Sequence, residues 1–319
     1  MRQNTCGAFE LELSIVTTLY CSAPYLEEFH ARMKREAEKI TDDYEIILVN
    51  DGSPDSSIDI ALALYESDRR VTVIDLSRNF GQHKAIMTGL QHAKGRWVFL
   101  IDCDLEEDPE LLGRFLSEMK DSHADVVYGV LARRRGSLSE RITRALFYKL
   151  FNLLSSYPIP ANVTCARLMT QRYVSSLVQH RDRAVFLAGL WAITGFKQVP
   201  VIVQKHDKGK SAYGLARKIS ILVDAITSFS NKPLYLIFYL GCAIAFVSAV
   251  SALALALRVI FFGQLLPGWS SLIVSVWLLG GLILLCLGII GIYLSEIFTE
   301  TKERPYAVIR QVYDRRDQS

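Results

Sequence analysis

Four short apolar runs recur along the first third of the chain, at residues 13–19, 45–49, 71–76 and 97–101. Each is rich in β-branched residues and shows little alternation of apolar with polar positions, the pattern of a parallel strand covered on both faces. The intervals read as helices. Residues 25–40 place apolar side chains at helical spacing among charges, and residues 56–67 follow an Asp-Gly-Ser-Pro turn. Two further strands are predicted at 125–128 and 198–203. Such alternation predicts an α/β fold with a Rossmann-like, doubly wound sheet, whose ligands gather at the carboxyl ends of the strands.

The pattern changes at residue 233. Across residues 233–295 a single side chain, Arg258, is charged. Residues 234–257 and 269–294 form two uncharged, mostly apolar stretches. Each is long enough to cross a hydrocarbon core of roughly 30 Å at about 1.5 Å per helical residue. Buried helices of a soluble domain, the other reading, seldom run so long without a charge. The connector, residues 258–268, ends in the breakers Pro267 and Gly268, so the two spans are expected to form a hairpin with both termini on one side. Lys232 precedes it and Lys302, Arg304, Arg310, Arg315 and Arg316 follow it, which places the large domain and both termini in the cytoplasm. The expected organisation is a body over 1–213, an interfacial amphipathic helix over 214–232, the hairpin over 233–295 and a cytosolic tail over 296–319.

Composition adds little to this picture. With 36 Lys+Arg against 33 Asp+Glu the net charge is +3, which excludes a nucleic-acid binder driven by bulk charge. No secretory leader is expected in residues 1–12, which lack an apolar core of the required length. Cys6, Cys21, Cys103, Cys165, Cys242 and Cys286 show no paired spacing and are expected to be reduced thiols.

The chemistry-bearing residues stand at the strand ends. The second strand runs into Asn50-Asp51-Gly52-Ser53-Pro54-Asp55. A carboxylate followed by a glycine turn there can accept hydrogen bonds from a ribose or base, or it can serve only as a turn and helix cap. The fourth strand runs into Asp102-Cys103-Asp104-Leu105-Glu106-Glu107-Asp108-Pro109. Asp102 and Asp104, one residue apart in an extended segment, can share a divalent cation against a diphosphate, and hard oxygen ligands suit Mg²⁺ or Mn²⁺. An acidic helix N-terminus accounts for Glu107 and Asp108. After the third strand, the run from Ser77 to Met87 passes through a polar glycine loop into a helix. It offers Arg78 and Lys84 as cations for a phosphate, while His83 suits either a ligand contact or a satisfied loop histidine.

These motifs in this order, followed by a membrane hairpin, resemble family 2 glycosyltransferases of the polyprenyl-phosphate type. That family includes undecaprenyl-phosphate 4-deoxy-4-formamido-L-arabinose transferases, bactoprenol glucosyltransferases and dolichyl-phosphate mannose synthases. The run from Arg78 to Met87 and the tail from Ile292 through Arg304-Pro305 resemble the arabinose branch most. The resemblance implies a GT-A fold, a nucleotide-diphosphate sugar donor and inversion at the anomeric carbon. It implies that Asp51 binds the nucleoside and that Asp102 and Asp104 bind metal and diphosphate, with Glu106, where relatives carry Gln, as an additional metal ligand. Tyr20, Arg78, Gln82 and His83 join the donor side. So do Lys208, Ser211 and Tyr213, the last two within a Gly-x-Ser-x-Tyr-like segment. Two departures alter donor contacts: an Asn-Glu pair of relatives reads Cys21-Ser22, and a Gly-Asp-aromatic segment reads Val163-Thr164-Cys165.

On the acceptor side, Arg133-Arg134-Arg135 leads into a basic stretch with aromatics from 139 to 151, suited to a lipid interface or to a solvated basic face. Arg133, Arg135 and Arg183 are the candidates for gripping the phosphate of a polyprenyl phosphate. A phosphomonoester is largely a dianion at neutral pH, with a second pKa of about 6, so no general base is required. The expected protein is a bacterial inner-membrane enzyme that charges polyprenyl phosphate with one sugar, and a homo-oligomer through close-packing glycines at 280, 281, 288 and 291. The alternatives are a transferase extending a lipid-linked saccharide, a processive synthase, whose Gln-x-x-Arg-Trp motif Gln179-His-Arg-Asp-Arg183 does not supply, and a degenerate membrane scaffold.

Overall fold

The computed structural model describes residues 11–132, 162–182, 185–206, 230, 232–262 and 268–315. Five β-strands alternate with helices at first: β1 (Leu13–Leu19), α1 (Leu26–Glu38), β2 (Tyr44–Asn50), α2 (Ser57–Ser67), β3 (Val71–Leu76), α3 (Gln82–His92), β4 (Trp97–Leu100), α4 (Leu111–Ser122) and β5 (Val126–Leu131). Then come β6 (Val163–Thr170), α5 (Gln171–Leu177), α6 (Leu187–Ile193), β7 (Gln198–Val203), α7 (Lys232–Phe262), α8 (Trp269–Thr301) and β8 (Ile309–Tyr313).

The chain divides into two compact units. Residues 1–145, 159–213 and 304–319 form one, and 146–158 with 214–303 the other. The first is built on an eight-stranded sheet of order β7-β5-β6-β4-β1-β2-β3-β8. Strands β1 to β4 pair in parallel, and β7 pairs in parallel with β5. Strand β6 runs antiparallel between β4 and β5, and β8 runs antiparallel along β3. The apolar runs fold as predicted because both faces are covered. Leu13, Ile15, Ile46, Leu48, Val73 and Phe99 meet Leu26, Phe29, Met33, Phe115 and Met119 of α1 and α4 in one core. On the other face α3 lies so close to the sheet that a Cβ on Gly89 would come within 2.6 Å of Val16 and 2.9 Å of Val49.

Two strands depart from the sequence reading. Strand β6 carries Thr164 and a buried Arg167 inside an otherwise apolar run, so periodicity conceals it. Strand β8 is a sheet edge with mostly exposed side chains, and it lies in the segment read as a tail. The result is a mixed α/β sheet of GT-A type, with antiparallel β6 interrupting the parallel order.

The second unit contains α7 and α8, helices of 31 and 33 residues. Their apolar side chains face outward, Trp277 at 79% exposure among them. The segment Ser275–Thr301 is long and apolar enough to cross a membrane, whereas in α7 the apolar stretch Lys232–Ser248 is shorter. Among the described residues, one of the two predicted spans therefore meets that criterion. Tyr293 donates to the Ser230 carbonyl at 2.6 Å. Added Cβ atoms on Gly280, Gly281, Gly288 and Gly291 would meet nothing within 4 Å.

Candidate active site

The carboxyl ends of β1 to β4 open onto four loops that are fastened to one another. The first follows β2. Asp51 is 2% exposed, and its carboxylate accepts the amides of Phe80 at 2.7 Å and Gly81 at 3.0 Å, clasping the loop after β3. Burial pushes this carboxyl up, while the two amides and the charge of Lys84 pull it down. The next residue, Gly52, has φ of +58°, and a Cβ there would lie 2.5 Å from the backbone of Arg78 and Asn79. Only glycine satisfies both the left-handed backbone and the close approach.

The loop after β1 is held by side chains of the same segment. Ser53 Oγ accepts from Cys21 N at 2.7 Å, Ser57 Oγ from Ser22 N at 3.0 Å and Asp55 from Ala23 N at 3.1 Å. Cys21 stands at φ +54°. Burial favours the protonated Asp55 carboxyl, but bonds from Ser53, Ser57 and two amides outweigh it and bring it down to about 2. These bonds anchor the backbone of the loop that carries Tyr20, which is 53% exposed.

The loop after β4 carries the acidic motif. Asp102 accepts from Gln82 Nε2 at 2.8 Å, which joins the start of α3 to the end of β4. Burial pushes the Asp102 carboxyl up, a hydrogen bond from the Cys165 thiol lowers it, and the neighbouring charge of Asp104 raises it. Burial, with Asp102 and Glu107 adding to it, keeps the Cys165 thiol protonated, so a hydrogen-bond donor stands beside Asp102. Asp104 accepts from Glu106 N at 2.9 Å, which turns the segment at Leu105, φ +57°.

Glu106, expected as a metal ligand, pairs through Oε2 with Lys205 Nζ at 2.7 Å, and its carbonyl accepts from His206 N at 2.8 Å. Here it fastens the segment after β7. Among the described residues no group of three or more His, Cys, Asp or Glu is arranged around a metal position. Asp102 and Asp104 nevertheless fit a hard divalent cation. They are adjacent oxygen donors whose mutual repulsion a cation would relieve, and such ions usually take one or two carboxylates plus substrate phosphates.

Arg78 is exposed, its guanidinium 4.1 Å from the Phe80 ring centroid. His83 holds Nδ1 3.1 Å from the Val185 carbonyl, and the protein around its ring lowers its pKa, a fall the carbonyl partly offsets. The structure therefore gathers Tyr20, Asp51, Arg78, Gln82, His83, Asp102, Asp104 and Glu106 on the loops and the first turn of α3 at one end of the sheet. Arg133, Arg135, Arg183, Lys208, Ser211 and Tyr213 lie outside the described residues, as does 214–229 of the expected interfacial helix. Sequence reasoning missed that Glu107, given there to an acidic helix N-terminus, is buried and accepts from Ala166 N at 2.9 Å. It also missed Arg167, buried against Trp191 and donating to the carbonyls of Thr164 and Cys165. A polar residue inside the run 163–170 was the one available signal for the latter. A groove of about 490 Å³ lined by Arg96, Trp97, His123 and Asp125 lies at the opposite, amino-terminal end of the parallel strands and contains none of the predicted residues.

Residues 14–178 match the family described as "Glycosyl transferase family 2", more than half of the chain. The chain belongs to this family and is a glycosyltransferase. A Mycobacterium tuberculosis protein whose name assigns it provisionally to the glycosyltransferases is 52% identical over 95% of this chain and 89% of its own. The "Prophage bactoprenol glucosyl transferase homolog" of Escherichia coli is 30% identical over 95% of this chain and 99% of its own. The bactoprenol glucosyl transferase of Shigella phage SfX is 30% identical over 94% and 99%. Among solved structures, a Pyrobaculum calidifontis mannosyltransferase in complex with GDP-Man and Mn²⁺ gives a TM-score of 0.48 at 17% identity, over 93% of this chain and 88% of that one.

Proposed function

We propose that this protein is an inverting, membrane-bound glycosyltransferase that moves one sugar from a nucleotide-diphosphate sugar to a polyprenyl phosphate, making a lipid-linked sugar for the cell envelope. The observation that carries this reading is the end-to-end likeness to bactoprenol glucosyl transferases, which spans the apolar helices as well as the sheet. The hairpin over 233–295 anchors the chain in the bacterial inner membrane with the sheet domain and both termini in the cytoplasm, and homo-oligomers form through its glycines.

In this reading Asp51 and Tyr20 border the nucleoside, and Arg78, Gln82, His83, Lys208, Ser211 and Tyr213 face the rest of the donor. Asp102 and Asp104 hold Mg²⁺ or Mn²⁺, and the ion's charge, when bound, stabilises the departing diphosphate. Glu106 orders the neighbouring segment through Lys205. Arg133, Arg135 and Arg183 orient the acceptor phosphate. A phosphate oxygen attacks the anomeric carbon in line with the leaving group, forming the new carbon–oxygen bond as the bond to the diphosphate breaks. The nucleoside diphosphate leaves with the electron pair. Because the phosphate is already largely dianionic at neutral pH, positioning replaces proton abstraction.

Asp104→Ala is expected to abolish transfer to polyprenyl phosphate in purified protein. Near-normal turnover of that variant would refute the role given to the acidic pair.

A further inference from the structure

Strand β8 follows α8 in the chain and adds itself to the free edge of β3, with Asp75 opposite Gln311, Leu76 opposite Ile309, and an irregularity between the two pairs. Arg310 emerges at that irregularity and makes two bonds. Its Nη1 donates to Asp75 Oδ2 at 3.0 Å and its Nη2 to the Ser77 carbonyl at 2.8 Å. Ser77 N in turn donates to the Val308 carbonyl at 2.9 Å, so the start of the Arg78-bearing loop is tied twice to the strand.

From Asp75 the bonding continues inward. Asp75 is 5% exposed, and its second oxygen, Oδ1, accepts from Asn50 Nδ2 at 2.8 Å. Asn50 Oδ1 accepts from Ser53 N at 3.2 Å, and Ser53 Oγ accepts from Cys21 N at 2.7 Å. A continuous series of bonds thus runs from the C-terminal strand through β3 and β2 to the loops after β2 and β1. Together with the clasp of Asp51 on Phe80 and Gly81, it fixes the backbone around Asp51 and Gly52 from both sides. A buried carboxylate deprived of its cation must recover water or shift, and the amide it orients shifts with it.

We propose that Arg310 is a positioning residue for the sugar-nucleotide donor. The strand after the last apolar helix sets the geometry of the donor loops through Asp75, Asn50 and Ser53, without itself touching the reacting atoms. This rests on the assignment of the strand-end loops to the donor. Arg315 provides an internal control: it also belongs to the segment around β8, but it lies over the Tyr65 ring at 4.8 Å and donates to the Glu66 carbonyl, away from the series.

The test uses full-length protein in lipid nanodiscs, with UDP and GDP affinity measured by calorimetry alongside transfer kinetics. Arg310→Ala is expected to weaken binding of the preferred nucleoside diphosphate and to raise donor KM, each by about tenfold, as the bonds to Asp75 and to the Ser77 carbonyl are both lost. Acceptor KM and kcat should stay near wild type. Arg310→Lys should recover part of the loss, Arg315→Ala should leave donor affinity unchanged, and Arg310→Ala combined with Asp75→Asn should be no worse than the more damaging single change. Unchanged donor affinity in Arg310→Ala, or an equal loss in Arg315→Ala, would overturn the proposal. Wild-type protein that binds a nucleoside diphosphate yet transfers no sugar would refute the proposed function alone, since the affinity comparison still decides the role of Arg310. Wild-type protein that binds neither nucleotide would overturn both.

Discussion

Gly52 and Gly81 both have positive φ, yet they differ in what surrounds them. A Cβ on Gly52 would meet the backbone of Arg78 and Asn79 at 2.5 Å, and one on Gly81 would meet nothing within 4 Å. Gly52→Ala must therefore move the loop that Asp51 clasps, whereas Gly81→Ala meets no atoms and incurs only the backbone strain of φ +97°, ψ 146°, about 1–3 kcal/mol. We expect Gly52→Ala to lower the melting temperature by more than Gly81→Ala and to raise donor KM, measured by calorimetry and initial rates. Equal effects would contradict the packing argument. The same scale shows what the sequence could disclose about the site. Asp51, Asp102 and Asp104 announce themselves because charged residues directly after apolar strands are conspicuous. The thiol of Cys165, by contrast, gives no such signal, and its place beside Asp102 depends on β6 lying against β4.

At the scale of elements, the packing of α1 against the end of α2 contains a buried titratable contact. His30 of α1 lies 3.3 Å from Asp68, which also receives Lys34 Nζ at 3.3 Å. Burial lowers the His30 pKa, Asp68 raises it less and Lys34 lowers it further. A histidine whose folded pKa lies below its unfolded value of 6.5 takes up more protons when unfolded. Its stabilising contribution is therefore intact above that value and lost as the pH falls through it. Thermal unfolding should show wild type losing stability between about pH 7 and 5, with a smaller slope in His30→Gln. Parallel slopes would refute this origin. The Asp68 carboxyl, held low by the Arg70 amide and Lys34 against its burial, acts in a separate, more acidic window. Elements were legible from sequence where burial covers both faces, as in β1 to β4. They were not legible where a strand depends on a distant partner. Strand β8 has mostly exposed side chains, and Arg310 meets Asp75 across 235 residues of chain.

For the whole molecule, the uneven distribution of charge separates a sheet domain that carries the acidic motif from helices whose apolar surface is exposed. In the proposed topology, single cysteines introduced at 263–267, in a background lacking the native thiols, should react with impermeant maleimide from outside the cell. One at Arg304 should react only after permeabilisation. Labelling of both from the same side would contradict the hairpin. The central claim is that one sugar passes from a nucleotide donor to a phosphate that never leaves the bilayer. Its most direct test is to incubate purified protein in nanodiscs with short polyprenyl phosphate, Mg²⁺ or Mn²⁺ and a panel of labelled nucleotide sugars, and then to analyse the lipid by mass spectrometry. The account predicts a polyprenyl monophosphate bearing one sugar, released by mild acid and absent with Asp104→Ala. A lipid carrying two or more sugars, or label transferred only to a saccharide already on the lipid, would contradict it.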